Sequence, residues 1–213
     1  SYDSHKIYAV QFAIHGIAVF CFDFCGGGGE NSDGKSTEMS VMTEVNDLEA
    51  VLKASEEWDF VDSTKIFLIG HSQGGMVSAI TAARHSKEIY GVFLLAPSFS
   101  LTDLLHKKFE SIEKVPEQFH FLYIDAGKIY AEDIWNYDVY SEIAKYKRKV
   151  ILIHGSADGL VPIEYSERAK QIYQDSELWV IEGAGHEFEG DEINQTIDYI
   201  LHYLLEIGII NYI

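Results

Sequence analysis

The chain has 213 residues, a length at which one domain buries a substantial hydrophobic core, and 47% of its residues are hydrophobic, which excludes a disordered chain. Its formal net charge of -18 excludes nucleic acid and anionic lipid as favoured partners, because an acidic surface repels both. No apolar run approaches the roughly 20 residues of a membrane span, and we expect a cytoplasmic protein that does not bind a membrane.

Five short apolar segments have the nearly continuous hydrophobic character of strands that are buried on both faces of a parallel sheet. They are residues 18–24, 65–70, 91–97, 149–155 and 177–183. Helical patterns lie between them and after the last one, at residues 41–58, 74–85, 163–173 and 191–206. This alternation predicts one α/β domain over residues 1–213, with a mostly parallel sheet, helices on both faces and right-handed crossovers.

The first predicted strand contains Cys21, and Cys25 follows it closely. A spacing of four residues along an extended strand separates the two by roughly 13 Å, which is too far for a disulfide. Reduced thiols are the rule in the cytosol. We therefore expect both cysteines to be buried, unpaired thiols.

The glycine-rich stretch after this strand contains a literal match to the phosphate-binding pattern G-x-x-x-x-G-K-[ST], at Gly29, Gly34, Lys35 and Ser36. A phosphate-binding loop follows its strand directly and opens a helix with its Lys-Ser pair. Here extra residues separate the strand from the pattern, and acidic side chains lie inside it, where they repel phosphate. We therefore interpret the stretch as a tight connection that leads to a helix capped by Ser40.

The sequence GHSQG at residues 70–74 fits the pattern G-x-S-x-G. A predicted strand precedes it and a predicted helix follows it, which is the context in which this pattern presents a reactive serine. The sharp turn lifts the hydroxyl of Ser72 above the sheet, and we expect Gly70 and Gly74 to be small because strand and helix pass close together. The helix amino terminus and the backbone N–H of Gln73 then face an oxyanion beside Ser72.

A long segment between the third and fourth predicted strands breaks the alternation. Residues 98–146 are rich in Leu, Phe, Tyr and Trp, and residues 119–130 predict two short strands around a glycine turn. Insertions of this length are typically functional, so we expect a lid over the site, with at least half of its large side chains packing it on the body. The candidates for an apolar substrate pocket are Phe99, Leu104, Phe121, Tyr123, Tyr130 and Trp135.

A serine hydroxyl needs a base, and a residue that orients the base, before it attacks a carbonyl at neutral pH. Asp158 lies in the loop after the fourth predicted strand, and His186 lies in a glycine-rich loop after the fifth. Each residue alone has an ordinary explanation, as a helix cap or a surface histidine. Together they follow Ser72 in the order Ser, acid, His, and all three loops open at the carboxyl edge of the sheet, where ligands bind. We therefore predict a Ser72–His186–Asp158 catalytic triad.

Several motifs taken together resemble the α/β-hydrolase superfamily, and most closely its bacterial cinnamoyl/feruloyl esterase-like serine hydrolases. The chain carries, in order, FDFCGGGGENSDGK, IGHSQGG, LLAP, HGSADGLVP and GAGH, and the likeness runs over nearly its whole length. The resemblance implies an α/β-hydrolase fold with Ser72 as nucleophile, Asp158 as acid and His186 as base. It also implies that the SDGK stretch belongs to a hydrolase loop and not to a nucleotide site.

Two departures from that family bear on the site. Family members place a strand with an H-G motif upstream of their first helix, and its loop supplies one oxyanion N–H, whereas this sequence begins in a segment that resembles the helix. We expect such a strand–helix unit, roughly thirty residues or more, upstream of this sequence, with its strand between the first two predicted strands. The family's H-G pair after the D-F strand is replaced by CGGGGEN, and we expect this loop to alter substrate preference.

These features predict a serine esterase that cleaves small aromatic or short acyl esters through an acyl-enzyme. No cluster of Cys or His has metal-ligand spacing, so we expect neither a metal nor another cofactor. Two alternatives stay open: a peptidase of the prolyl-oligopeptidase type, which shares the triad, and a catalytically silent hydrolase fold that binds a ligand. The expected partner is a small-molecule ester, and a homodimer is compatible with the sequence.

Overall fold

The computed structural model describes residues 2–27 and 32–211. Within them, α-helices and β-strands alternate along the chain, with three helices and a hairpin between the second and fifth strands. The strands are β1 (Ile66–His71), β2 (Ile89–Leu95), β3 (Gln118–Phe121), β4 (Ile124–Gly127), β5 (Val150–Gly155) and β6 (Ser176–Ile181). The helices are α1 (Tyr2–Ile14), α2 (Val41–Ser55), α3 (Gln73–Arg84), α4 (Leu101–Lys108), α5 (Lys128–Ile134), α6 (Val139–Ile143), α7 (Glu164–Ile172) and α8 (Asp191–Glu206).

Four of the strands form a parallel sheet in the order β1-β2-β5-β6. Each of these four strands lies within two residues of a segment that the apolar pattern predicts. Parallel neighbours need crossover connections, and helices supply them here. The predicted α/β fold with a mostly parallel sheet is confirmed, and its strands all end at the same edge.

The central strands are apolar on both sides because each face of the sheet carries a layer of helices. On β2, Val92 and Leu94 point into a core shared with α2, α3 and α7, whereas Phe93 and Leu95 point into a second core shared with α1 and α8. All six residues of β5 are buried. A continuous apolar run is therefore the expected signature of these strands. Among the described residues, no helix is both long and apolar enough to span a bilayer.

Helix α2 begins where the sequence predicts, at a capping box. The Ser40 hydroxyl accepts a hydrogen bond from the backbone N–H of Thr43, and the backbone N–H of Ser40 donates to the Thr43 hydroxyl at 2.8 Å. These bonds satisfy backbone groups that a helix start otherwise leaves unpaired. They fix the position of the first turn of α2, which carries Glu44.

The segment between β2 and β5 contains α4, α5, α6 and the antiparallel hairpin β3–β4. The prediction of two short strands is correct, but the prediction of a glycine turn is wrong. The chain reverses at Leu122, which has a φ of 53°, and at the exposed Tyr123. Gly127 instead ends β4, and a Cβ there would lie 2.0 Å from the backbone oxygen of Thr37, so this glycine permits a close approach of two backbones.

The first predicted strand, residues 18–24, is wrong: these residues form no strand. A strand is defined by its ladder of hydrogen bonds, and among the described residues no strand pairs with this segment. Its side chains form a chain of aromatic contacts instead, from Phe24 through Phe22 to Phe20 and on to Trp58. Phe20 stays 56% exposed, which a strand buried on both faces would not allow.

The prediction of buried cysteines is also wrong. Cys21 and Cys25 are both exposed, and both are free thiols. Their exposure follows from the loss of the predicted strand, because residues outside the sheet are not covered by helices on two faces. The backbone N–H of Cys25 donates to the carboxylate of Asp47 at 2.7 Å, and this bond attaches the segment to α2.

Candidate active site

The nucleophile turn joins β1 to α3. Ser72 has a φ of 55° and a ψ of −122°, a backbone conformation that a non-glycine residue adopts only when the surrounding structure holds it. The backbone N–H of Ser72 donates to the carbonyl of Leu95, and its own carbonyl accepts from the N–H of Gly75 and of Ser98. The strained residue is thus fixed from both sides at the carboxyl edge of the sheet.

Close packing around this turn requires glycine at two positions. A Cβ on Gly70 would lie 2.2 Å from the backbone oxygen of Gly74, and one on Gly75 would lie 3.0 Å from Pro97. At Gly74 a Cβ would meet no atom within 4 Å, so the expectation that this residue must be small is wrong. Gly74 contributes to the crowding through its backbone oxygen, which lies against Gly70, whereas the space beside its own Cα is open.

The three predicted triad residues lie in contact. The Nε2 atom of His186 is 2.8 Å from Oγ of Ser72, and its Nδ1 atom is 2.8 Å from Oδ2 of Asp158. The imidazole side chain of His186 is 9% exposed and the carboxylate of Asp158 is fully buried. Such a chain of hydroxyl, imidazole and carboxylate is able to move a proton from the serine to the histidine.

The carboxylate of Asp158 is held by several donors. Its Oδ1 accepts from the backbone N–H groups of Leu160 and Val161, at 2.9 and 2.8 Å. Burial acts to raise the pKa of Asp158, but the hydrogen bonds from Val161, His186 and Leu160 outweigh it and leave the pKa below its ordinary value. An ionised carboxylate only accepts hydrogen bonds, so Nδ1 of His186 carries the hydrogen and donates to Asp158. Nε2 of His186 then accepts a hydrogen bond from the hydroxyl of Ser72.

A second imidazole supports the same carboxylate. Nε2 of His154, at the end of β5, lies 2.9 Å from the carbonyl of Val161 and 3.2 Å from Oδ2 of Asp158, while its Nδ1 lies 2.8 Å from Oγ of Ser166. Burial lowers the pKa of His154, although the Val161 carbonyl and Asp158 oppose the shift. A neutral ring with its hydrogen on Nε2 satisfies all these partners. In the sequence, His154 is only a histidine at the end of a predicted strand. Its position four residues before Asp158 is the feature from which its contact with that carboxylate could have been predicted.

The loop that carries His186 is attached to the nucleophile turn by the neighbouring histidine. Nε2 of His71 donates to the backbone carbonyl of His186 at 2.8 Å, and the two rings lie 4.9 Å apart. In the described part of the chain, His71, His186 and Glu187 form the group whose ligand atoms lie close enough to hold a metal ion. Both ring nitrogens of His186 already have hydrogen-bond partners within the triad, so this group belongs to the serine site.

Two further polar side chains reach the nucleophile turn from other elements. Oγ of Ser98 lies 2.9 Å from Oγ of Ser72, and because Ser72 donates to His186, Ser98 is the donor to Ser72. The side chain of Gln73 bonds to Glu44 on α2 and to Tyr130 on α5. None of these contacts has a signal in the sequence, since the partners are 26 to 57 residues apart.

The backbone N–H of Gln73 is the predicted oxyanion donor, and this role stays a prediction. Gln73 is the first residue of α3, so its N–H has no acceptor within the helix and points out of its amino end beside Ser72. The positive end of the helix dipole lies at the same place. The position of a second oxyanion donor stays a prediction.

The predicted pocket residues differ widely in exposure. Phe99, Phe121 and Tyr130 are buried and belong to the core on the α2 side of the sheet, and Tyr123 is 79% exposed at the hairpin turn. Leu104 and Trp135 are half-buried at the margin of that core, and Trp135 packs on His106. Their role as substrate contacts stays a prediction.

The phosphate-loop pattern lies partly outside the described residues, because Gly29 falls in the gap. The remainder forms a turn: the N–H of Gly26 donates to the carbonyl of Asp33, and Ser36 opens a three-residue 3-10 helix. The Ser36 hydroxyl donates to the carbonyl of Asp125 on the hairpin. The described part of this stretch thus connects α2 to the segment between β2 and β5.

A strained serine turn between a parallel strand and a helix, with an acid and a histidine from the next loops of the same sheet edge, defines a member of the α/β-hydrolase superfamily. Within it, residues 3–124 match the model of the serine aminopeptidase family S33. Because this match covers more than half of the chain, the protein belongs to that family, and it is a hydrolase.

Individual relatives are distant in sequence. The uncharacterized peptidase YtmA of Bacillus subtilis is 21% identical over 210 residues, which cover 92% of this chain and 74% of that protein. Est1E from Butyrivibrio proteoclasticus, solved with bound ferulic acid, is 25% identical with a TM-score of 0.77 over 86% of this chain and 74% of Est1E. A monoacylglycerol lipase from Paleococcus ferrophilus shares the fold, at 18% identity and a TM-score of 0.66 over 94% of this chain and 89% of the lipase.

Proposed function

We propose that the protein is a serine esterase that cleaves small aromatic or short acyl esters through Ser72, His186 and Asp158. The observation that carries the proposal is the pair of 2.8 Å contacts that His186 makes, one to the hydroxyl of Ser72 and one to the carboxylate of Asp158. A serine hydroxyl with a hydrogen-bonded, oriented base is the arrangement that acyl transfer requires.

The first half of the reaction forms an acyl-enzyme. Nε2 of His186 takes the proton of Ser72 while Oγ forms a bond to the ester carbonyl carbon, and the carbonyl electron pair moves to its oxygen. The backbone N–H of Gln73 donates to this oxyanion. When the carbonyl re-forms, the bond to the alkoxy oxygen breaks, and the leaving alcohol takes the proton from His186. Asp158 stabilises the imidazolium in between.

Water completes the second half. His186 takes a proton from water, whose oxygen attacks the acyl carbon and forms the second tetrahedral intermediate. The bond from carbon to Oγ then breaks, and Ser72 recovers its proton from His186. One ester and one water molecule thus give one alcohol and one carboxylic acid, with the enzyme returned to its starting state.

The substrate class rests on two supports. Est1E, which is 25% identical to this chain, was solved with ferulic acid, a small aromatic carboxylic acid. In addition, the segment between β2 and β5 supplies the half-buried Leu104 and Trp135, and side chains of this kind suit a flat aromatic or short aliphatic acyl group. An aromatic or short acyl ester fits both observations.

A peptidase is the second candidate, because the matching family is described as a serine aminopeptidase and YtmA is named a peptidase. The same triad would cleave an amide, with the amine as leaving group in place of the alcohol. The discriminating feature is the leaving group, so parallel panels of p-nitrophenyl esters and aminoacyl p-nitroanilides separate the candidates.

The test measures turnover of both panels together with labelling by a fluorophosphonate, which forms a covalent bond to an activated serine. We expect ester turnover and labelling, both abolished in Ser72→Ala, because loss of the nucleophile costs about 10⁶-fold in such systems. Anilide turnover without ester turnover would identify the peptidase. Turnover of neither panel, without labelling, would identify a silent hydrolase fold.

A matched control is Ser55→Ala. Ser55 is a buried serine whose hydroxyl donates to the carbonyl of Leu52 at the end of α2, away from the triad. This variant should keep both turnover and labelling. Unchanged turnover in Ser72→Ala would contradict the proposal.

A further inference from the structure

The side chain of Gln73 is held at both of its polar atoms. Its Nε2 donates to Oε2 of Glu44 at 2.8 Å, and its Oε1 accepts from the hydroxyl of Tyr130 at 2.6 Å. Glu44 lies in the first turn of α2, and Tyr130 lies on α5, in the segment between β2 and β5. The amide therefore connects two elements that are remote in sequence, and its orientation is fixed by both.

These three groups form a polar chain inside an apolar region. Tyr130 has no exposed surface and Glu44 is 6% exposed. The ring of Tyr130 packs against Phe121 in the same core. In such surroundings a polar side chain that loses its partner keeps the full cost of leaving water, so Glu44 and Tyr130 each hold the amide of Gln73 in place.

The backbone of Gln73 also takes part in the proposed reaction. Its N–H is the oxyanion donor, and such a donor has to lie about 2.7–3.1 Å from an atom that exists only during the reaction. The preceding residue, Ser72, holds a strained conformation with a φ of 55°. A turn that stores strain relaxes unless its neighbours are restrained, and the side chain of Gln73 leaves the same Cα as the donor N–H.

We propose that Glu44 and Tyr130 are positioning residues that act through the side chain of Gln73 to hold the oxyanion donor in place. The assignment rests on the proposed esterase function, and it couples α5 to the nucleophile turn. The competing explanation is a buried polar cluster that stabilises the fold without affecting the donor. If the cluster only stabilises the fold, its loss changes the free energy of unfolding alone. If it positions the donor, its loss also changes kcat, with little change in KM.

The test compares two substitutions that each remove one buried hydroxyl. Tyr130→Phe deletes the donor to Gln73. Tyr146→Phe is the matched control, because Tyr146 is 1% exposed and its hydroxyl donates to the carbonyl of Ile89, outside the site. Steady-state turnover of p-nitrophenyl butyrate and urea unfolding are measured for both. We expect Tyr130→Phe to lower kcat about tenfold with KM within twofold, and Tyr146→Phe to keep kcat at comparable loss of stability.

Substitutions of Glu44 test the other side of the amide. Glu44→Gln keeps an oxygen that accepts from Gln73 and should retain kcat within threefold. Glu44→Leu removes the acceptor and should lower kcat at least tenfold. If either variant fails to fold, Gln73→Met replaces both, since it removes the amide and keeps the length of the side chain. It should lower kcat as Tyr130→Phe does, and adding Tyr130→Phe to it should have no further effect.

If the wild type turns over the ester and Ser72→Ala does not, the esterase function is established independently of the positioning role of Glu44 and Tyr130. Given that activity, equal kcat values in wild type, Tyr130→Phe and Glu44→Leu would overturn the positioning role. Additive losses in the Gln73→Met, Tyr130→Phe double variant would overturn it as well, because the two residues would then act separately. Absence of wild-type turnover would refute the esterase itself.

Discussion

His154 and Asp158 share a buried hydrogen-bonding arrangement, with Nε2 of the imidazole 3.2 Å from Oδ2 of the carboxylate and both side chains fully buried. The same oxygen of Asp158 contacts Nδ1 of His186. The carboxylate is thus placed between two imidazoles, of which only His186 reaches the serine. His154 thus gives Oδ2 of Asp158 a second imidazole partner.

We expect His154→Leu to impair the triad through Asp158. The substitution removes the imidazole that contacts the carboxylate of Asp158 and the hydroxyl of Ser166, and the loss of these buried partners costs about 1–3 kcal/mol of unfolding free energy. Because the carboxylate is then held less firmly, kcat should fall about tenfold. Ester turnover and urea unfolding measure the two effects. His120→Leu is the control, because His120 is exposed on the hairpin. Unchanged kcat in His154→Leu would show that the backbone donors alone orient Asp158.

We expect Asp158→Asn to abolish most turnover while the structure persists. An amide favours the wrong tautomer of His186, and in comparable triads the loss is about 10⁴-fold in kcat. Asp138→Asn is the matched control: the pKa of Asp138 is also lowered, by hydrogen bonds from Ser141, but the residue caps α6 on the surface. Each carboxylate contributes stability that is present above its ordinary pKa and lost as pH falls through the lowered value. Equal kcat in both variants would contradict the assignment of the acid.

We expect Gly70→Ala and Gly74→Ala to differ sharply in stability. A Cβ at residue 70 would lie 2.2 Å from the carbonyl oxygen of Gly74, so β1 and α3 have to separate, and the free energy of unfolding should fall by about 3 kcal/mol or more. At residue 74 the space is open, and alanine in a helix is favoured over glycine by roughly 0.5–1 kcal/mol. Thermal unfolding of the two variants decides the matter, and equal melting temperatures would refute the packing argument.

We expect the buried carboxyl of Glu44 to make stability depend on pH. Burial raises the pKa of Glu44 to about 7; the hydrogen bond from Gln73 lowers it in part, and nearby Asp47 raises it. The hydroxyl of Tyr130 faces the same group through Gln73. A raised pKa means that the folded state holds the proton more tightly than the unfolded state. The folded protein therefore loses stability as pH rises from about 4.5 to 7, by about 3 kcal/mol in total.

Glu44→Gln removes this titration. Urea unfolding at pH 5 and pH 8 should show that the variant gains on the wild type by about 2 kcal/mol between the two values, since part of the change lies below pH 5. Glu110→Gln is the control, because the Glu110 side chain is 80% exposed. A gain of the same size in Glu110→Gln, or none in Glu44→Gln, would contradict a buried, raised Glu44.

Four strands, the helices of the body and the order of the three site residues follow from the sequence, because they depend on local signals. Apolar runs predict strands β1, β2, β5 and β6 within two residues, and Ser40 marks the start of α2. The pattern at residues 70–74 predicts the strained turn at Ser72. These features depend on side chains within a few residues of one another, so the local sequence is enough to predict them.

The errors arise where the outcome depends on partners elsewhere. Residues 18–24 have the composition of a strand, but a strand requires a neighbour, and the two cysteines are exposed as a consequence. From the sequence, Gly127 is predicted to be a turn residue. A glycine is required there for a different reason, because the backbone of Thr37, from another element, approaches closely. Composition alone carries no information about such neighbours.

The sequence by itself determined the superfamily, the parallel sheet and the identity of Ser72, Asp158 and His186 as site candidates. Only the tertiary structure decided that His186 contacts both partners at 2.8 Å, that His154 contacts Asp158, and that Glu44 and Tyr130 bond to the side chain of Gln73. The physical reason is range: periodicity and turn chemistry act over a few residues, whereas these hydrogen bonds form only after packing brings distant helices and loops to one edge of the sheet.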